Sequence, residues 1–256
     1  MIKECIRHII NKLGYDISKI VSHQNMISGV AQRHGIPDHE FYLPLFSPWR
    51  GYGEFSDYYH IAKSYTLVSP DHAYVLFTMA RQAGNLNGAW VECGVYKGGS
   101  AMMLTKLIVD KKMDTHFHLF DTFIGMPSAD SVLDIHKKGD FSDVEFENIT
   151  NRIQAISGEK NVVTFHRGFI PDTFEDCGIN KIAFAHVDVD IYQSVYDCCS
   201  YIYPRLLASG IIVFDDYGFP TCPGARKAVD DFFADKPEVP FVLGTGQVIV
   251  FKSTND

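Results

Sequence analysis

The sequence predicts an α/β fold: a mostly parallel, seven-stranded sheet with helices on its faces and an antiparallel hairpin at its end. Three observations lead there. Apolar runs of strand length alternate with segments of helical length from residue 89 to residue 234. The run 182–187 passes through one such segment to a second run at 211–214, a β-α-β unit whose crossover brings both strands into one parallel sheet. The last two runs, 240–243 and 247–251, flank Gly244-Thr245-Gly246, which suits a hairpin turn.

The β-α-β unit carries the chemistry. Its first strand ends in Asp188 and Asp190, its second in the doublet Asp215-Asp216, so four carboxylates stand at the carboxyl edge of the sheet, where open α/β sheets bind ligands. Acids gathered at one edge repel one another unless a cation or a proton is shared among them; a hard divalent metal is implied, and Mg²⁺ fits best. A single strand-end aspartate commonly does no more than cap the following helix. Capping takes one acid per helix, and two pairs after consecutive strands exceed that need.

Taken in order, residues 2–13 place Ile2, Ile6, Ile9, Ile10 and Leu13 on one stripe, an amphipathic helix suited to docking on the body or on a second subunit. Residues 22–60 are rich in His, Tyr, Phe, Pro and Gly without sustained periodicity and read as a long, partly ordered cover for a site. Ser69-Pro70-Asp71 opens a helix running to about Gln82. The chain therefore divides into an N-terminal extension with a substrate lid, 1–68, and a main domain, 69–256.

The main domain begins with a short buried strand, Glu92 near its end, a glycine turn and a helix opening near Gly99-Ser100. The turn matches neither the dinucleotide fingerprint nor the Walker loop. A carboxylate beside glycines suits a ligand that is cationic there, such as the amino group of S-adenosylmethionine. The strand 116–120 ends in Asp121, where an acid usually partners a ribose hydroxyl pair. Residues 122–143 read as a loop or lid, followed by a helix over 143–156 and a strand over 162–165. Pro171 opens another helix, a crossover helix spans 191–207 and stops at Ser209-Gly210, and a last helix covers 225–234. His118, His166 and His186 lie near strands and read as core histidines.

Composition narrows the partners. Lys+Arg of 23 against Asp+Glu of 31 gives a net charge of −8, which excludes a surface built for phosphate backbones. No apolar run reaches the length of a membrane span and the N-terminus has no signal-peptide pattern, so a cytoplasmic protein is expected. The six cysteines show no C-x-x-C pair and read as reduced, mostly buried thiols, with no zinc indicated.

Five β/α units closed by a hairpin are the topology of Rossmann-like methyltransferases. The stretches SPDHAYVLF, VECGVYKGGSAMM, HLFDTFIGMP, RGFIPDTF, HVDVDIYQSV and GIIVFDDYGFPTCPGARKAVDDFF, spanning residues 69–233, resemble the macrocin O-methyltransferase family. These are metal-dependent S-adenosylmethionine enzymes that methylate sugar hydroxyls of antibiotics. The resemblance implies Asp188, Asp215 and Asp216 as Mg²⁺ ligands and Asp190 as general base. It also implies Glu92, Gly94, Tyr96 and Ser100 around the methionine part of the cofactor, Asp121 on its ribose, and a small glycoside as acceptor. A homo-oligomer is compatible with it. Two other readings stand beside it: a catechol or phenol O-methyltransferase using similar metal chemistry, and a non-catalytic S-adenosylmethionine-binding protein, for which four carboxylates at one edge have no use.

Overall fold

In the computed structural model, which describes residues 47–254 apart from 52, 131 and 176, the run Ile182–Val187 is buried at all 6 positions, as a strand covered on both faces must be. The expected helix at 2–13 and the segment 22–46 lie outside the described residues. The strands are β1 (Ala89–Cys93), β2 (Phe117–Asp121), β3 (Val163–Arg167), β4 (Ile182–Val187), β5 (Leu206–Phe214), β6 (Phe241–Val242) and β7 (Val248–Phe251). They form one sheet in the order β3-β2-β1-β4-β5-β7-β6. The first five pair in parallel, while β7 runs antiparallel to both β5 and β6. The helices are α1 (Phe55–Ala62), α2 (Pro70–Ala83), α3 (Gly99–Lys111), α4 (Phe146–Ser157), α5 (Tyr192–Ile202) and α6 (Pro223–Phe233).

Alternation along the strands sorts the core into two layers. Trp90, Phe117 and Phe184 face Leu76, Phe77, Leu104 and Ile108 of α2 and α3. Val91, Ala185 and Val187 face Val195, Ile202, Val229 and Phe233 of α5 and α6. Residues 55–62, of which 55–60 belong to the stretch expected to be only partly ordered, fold as α1 and bury Phe55, Tyr58 and Ala62 in the first layer. Burying an aromatic of this size stabilises by about 1.5–3 kcal/mol, so α1 belongs to the body. Its amphipathic pattern spans only 8 residues, too short a window for periodicity to stand out.

Other boundaries differ from expectation for identifiable reasons. The crossover helix ends at Ile202, because Pro204 cannot continue it, and the chain passes through one 3₁₀ turn, Tyr203–Arg205, straight into β5. Ser209-Gly210 therefore lies inside β5. It sits where the register slips against β4 and Ser209 takes φ 64°, a bulge tied to the next strand by Ser209 N–H to the Lys252 carbonyl. Pro171 opens only a 3₁₀ turn, Asp172–Phe174, which tucks Phe174 between Phe120 and Tyr201.

The β2–β3 edge carries a histidine cluster. His118 Nδ1 lies 2.9 Å from His166 Nε2, and His116 packs edge-on against His118. Burial, with the neighbouring His116 and His166 adding to it, pushes His118 down to about 4. An unfolded histidine takes up its proton near pH ~6.5. Between those values the unfolded chain binds a proton that the folded His118 refuses, so stability is lost as pH falls through that window. Replacing His118 with Phe is expected to flatten the decline in melting temperature from about pH 7 to about pH 4.5. Equal declines in both proteins would remove His118 as the cause.

Candidate active site

The sheet order reverses between β1 and β4, which lie side by side with Cys93 opposite Val187. A crevice forms at the carboxyl ends of strands at such a switch point. Here it is a cavity of about 340 Å³, within the range of small-molecule sites. Its wall includes Gly94, Tyr96, Ser100, Asp121, Asp188, Asp190, Asp215 and Asp216, eight of the nine residues singled out from the sequence.

One glycine explains the join between the two halves. A side-chain carbon on Gly94 would stand 1.7 Å from the Asp188 carbonyl oxygen, and Gly94 has φ +88°, so no other residue fits. The bare turn lets the chain after β1 touch the chain after β4. The glycine turn and the aspartates thus share one floor.

Carboxylate oxygens of Asp188, Asp215 and Asp216 all lie within 4.8 Å of one another. Burial and then the Asp215 charge push the Asp188 carboxyl well above the ordinary range. Burial and the charges of Asp188 and Asp190 do the same to Asp216. Asp215 goes the other way: burial opposes its charge, but His186 and His72 more than offset that and hold it below the usual carboxylate range. An all-oxygen set in which the charged form of two members is disfavoured fits a hard divalent cation.

A second layer of polar side chains fixes Asp215. His72 Nδ1 donates to Asp215 Oδ2 at 3.0 Å while His72 Nε2 donates to the Thr245 carbonyl, also at 3.0 Å. Both partners are acceptors, so the ring carries both protons. Gln247 Nε2 donates to Asp215 Oδ1 at 2.7 Å. His186 Nε2 stands 3.8 Å from the same oxygen, and its Nδ1 is 2.8 Å from Glu92 Oε1. Glu92, the ninth residue, is fully buried and lies behind the cavity wall, bonded to His186. Sequence spacing carried no signal for His72 and Gln247, which lie 143 and 32 residues from Asp215.

Asp190 has φ 58°, held by its N–H bonding to Asp216 Oδ2 at 2.9 Å. The first-turn N–H of α5, on Tyr192, goes instead to Asp134 Oδ1, which is 58 residues distant and leaves the Asp190 carboxylate to the cavity. Burial raises the Asp190 carboxyl, with His136 and Cys222 pulling it back in part. Asp121 lines the cavity while accepting N–H bonds from Val95, Tyr96 and Phe123 at 2.7, 2.9 and 2.7 Å. It therefore shapes the glycine turn as well as facing the space above it. The Tyr96 hydroxyl donates to Asp143, and Ser100 sits in the first turn of α3.

The 122–142 loop folds over the cavity. Met126 and Gly139 exchange backbone bonds across it with Asp140 and Met126, and Asp134 pins it to α5. This brings His136 to the cavity, a residue that sequence reasoning did not find because nothing local marks it.

A seven-stranded sheet of this order, with a glycine turn after β1 and an acid after β2, is the Rossmann-like fold of class I methyltransferases. The chain belongs to the macrocin O-methyltransferase family, whose model matches residues 75–240. It is 26% identical over 158 residues to demethyldecarbamoylnovobiocin O-methyltransferase of Streptomyces niveus, 59% of this chain and 60% of that one. It is 27% identical over 159 residues, 59% of each, to 8-demethyl-8-(2,3-dimethoxy-alpha-L-rhamnosyl)-tetracenomycin-C 4'-O-methyltransferase of Streptomyces olivaceus. The matched region thus spans about three fifths of these relatives. The fold superposes on the O-methyltransferase NovP with a TM-score of 0.67 at 21% identity, over 74% of this chain and 83% of that one. On the calicheamicin methyltransferase CalS11 the TM-score is 0.64 at 16% identity, over 91% and 94%. No described helix is long and apolar enough to cross a membrane.

Proposed function

We propose that this protein transfers a methyl group from S-adenosylmethionine to a sugar hydroxyl of a glycosylated natural product, using Mg²⁺ held by Asp188, Asp215 and Asp216. The observation that carries the reading is the meeting, in one cavity, of a bare glycine turn, a carboxylate triad of which Asp215 and Asp216 are buried, and a fourth carboxylate, Asp190. The two relatives, both named as O-methyltransferases, support it.

An alcohol holds its proton far too tightly to lose it unaided near neutral pH. When bound, Mg²⁺ supplies positive charge at the acceptor oxygen and S-adenosylmethionine supplies the electrophilic methyl. Asp190 takes the hydroxyl proton as general base. Gly94, Tyr96, Ser100 and Asp121 would hold and orient the cofactor, Asp121 at its ribose. Aromatic wall residues Phe141, Phe169 and Phe219 also suit a catechol, which is the second reading. A panel of glycosides and catechols, incubated with both cofactors and read by mass spectrometry, tests the choice. A gain of one CH₂ on glycosides is expected; gain on catechols alone would move the assignment to phenols.

Glu92 is proposed to serve the cofactor side from behind the turn, while its bond to His186 links it to Asp215. Glu92→Gln keeps the shape but removes the carboxylate whose bond helps raise the proton affinity of His186. It is therefore expected to weaken Mg²⁺ binding at least as much as S-adenosylmethionine binding, measured by calorimetry for each. Loss of cofactor affinity with Mg²⁺ affinity intact would place Glu92 directly on the cofactor.

A further inference from the structure

Beside the carboxylate triad stands a donor set of different character. His136 Nε2 lies 3.7 Å from Asp190 Oδ1 and 3.6 Å from Cys222 Sγ, and Cys222 Sγ lies 3.4 Å from Asp190 Oδ1. Around a tetrahedral zinc, with bonds of about 2.0–2.3 Å, neighbouring N, O and S donors stand roughly 3.4–3.6 Å apart. Two of the three separations fall in that range, and the third, His136 Nε2 to Asp190 Oδ1 at 3.7 Å, lies just above it. All three residues line the cavity, so a fourth position opens onto it.

The surroundings are those of a built site. His136 Nδ1 faces Asp140 Oδ2 at 3.3 Å, the carboxylate–histidine arrangement that orients a ligating imidazole. Asp140 is itself held by the Lys137 N–H at 2.9 Å. Asp134, bonded to the Tyr192 N–H, fixes the loop that carries His136. Cys222 is buried immediately before α6, and Asp190 is held by its bond to Asp216. A thiolate, an imidazole and one carboxylate select a borderline-soft ion over Mg²⁺, whereas the all-oxygen triad selects the reverse.

We propose that His136, Asp190 and Cys222 form a transition-metal site, separate from the carboxylate triad, and that Zn²⁺ bound there arrests methyl transfer. Binding replaces the thiol proton, which leaves to solvent as the sulfur–metal bond forms, and it occupies the Asp190 oxygen. The arrest, though not the site, rests on Asp190 being the base. No zinc pattern is legible along the chain because the three ligands come from three distant segments and form no spaced pair.

Co²⁺ titration of the reduced, Mg²⁺-saturated full-length protein tests the site. Only a thiolate ligand produces a sulfur-to-cobalt charge-transfer band in the near ultraviolet, so cobalt on the triad stays silent there. One equivalent is expected to saturate the band and Zn²⁺ to displace it. Cys222→Ser should abolish the band, and His136→Gln, on the exposed loop, should weaken Co²⁺ binding by more than about ten-fold. Absence of the band in the wild type, or its survival in Cys222→Ser, overturns the site whether or not any acceptor is turned over. Turnover at saturating Mg²⁺ is then followed against Zn²⁺. It is expected to fall as the site fills, and to need correspondingly more Zn²⁺ in His136→Gln. Undiminished turnover at full occupancy overturns the arrest, and with it Asp190 as base, while leaving the site standing.

Discussion

Asp216→Asn is expected to abolish both turnover at ordinary Mg²⁺ concentrations and the rise in melting temperature that Mg²⁺ gives the wild type. A ligand that binds only the folded state stabilises it by about 2.7 kcal/mol at a hundred times its dissociation constant. The variant should lose that increment, and excess Mg²⁺ should restore part of the activity. The same substitution is expected to leave the metal-free protein no less stable. Burial, with the Asp188 and Asp190 charges adding to it, already holds the Asp216 carboxyl well above the usual range, so a neutral isostere replaces a group whose charged form is disfavoured. The sign of the pH dependence follows. Metal must displace the protons that Asp188 and Asp216 retain, so wild-type Mg²⁺ affinity should rise with pH as those groups ionise. Scanning calorimetry with and without Mg²⁺ checks both halves; an unchanged Mg²⁺ increment in the variant removes Asp216 from the ligand set.

Asp190→Asn should lower kcat by about 10²- to 10⁴-fold, the range for removing a general base. Cofactor and acceptor binding should change little, since neither requires that proton to move. The alternative role, capping α5, predicts a stability loss of under about 1 kcal/mol with turnover near normal. The bond from Tyr192 N–H to Asp134 weighs against capping, since it leaves the start of α5 served from another loop. Kcat, Mg²⁺ affinity and melting temperature on one preparation separate the roles: normal turnover removes the base, and lost metal binding makes Asp190 a ligand.

Much of this site could be read along the chain because its residues end strands. Apolar runs fix where β4 and β5 stop, strand pairing brings the stops together, and Asp188, Asp190, Asp215 and Asp216 follow. Gly94 was legible for the same reason. What escaped depends on contacts between distant segments. His72 and Gln247 reach Asp215 from α2 and the final hairpin, and His136 reaches Asp190 from a loop with no periodicity. Glu92 was legible as a strand-end acid, but which way it faced was not. Period two puts it on one side of β1, where β4 supplies His186 as a partner before the cavity is reached. Helix ends were blurred where a bulge at Ser209 let a strand begin in what read as helix.

On the proposed function, methyl transfer requires a divalent cation on the carboxylate triad. The most direct measurement is methyl transfer to a glycoside acceptor by protein stripped with EDTA, with metal content verified by elemental analysis and the fold by circular dichroism. No transfer by the folded, metal-free protein and recovery on adding Mg²⁺ is the predicted result; full turnover after verified metal removal would contradict it.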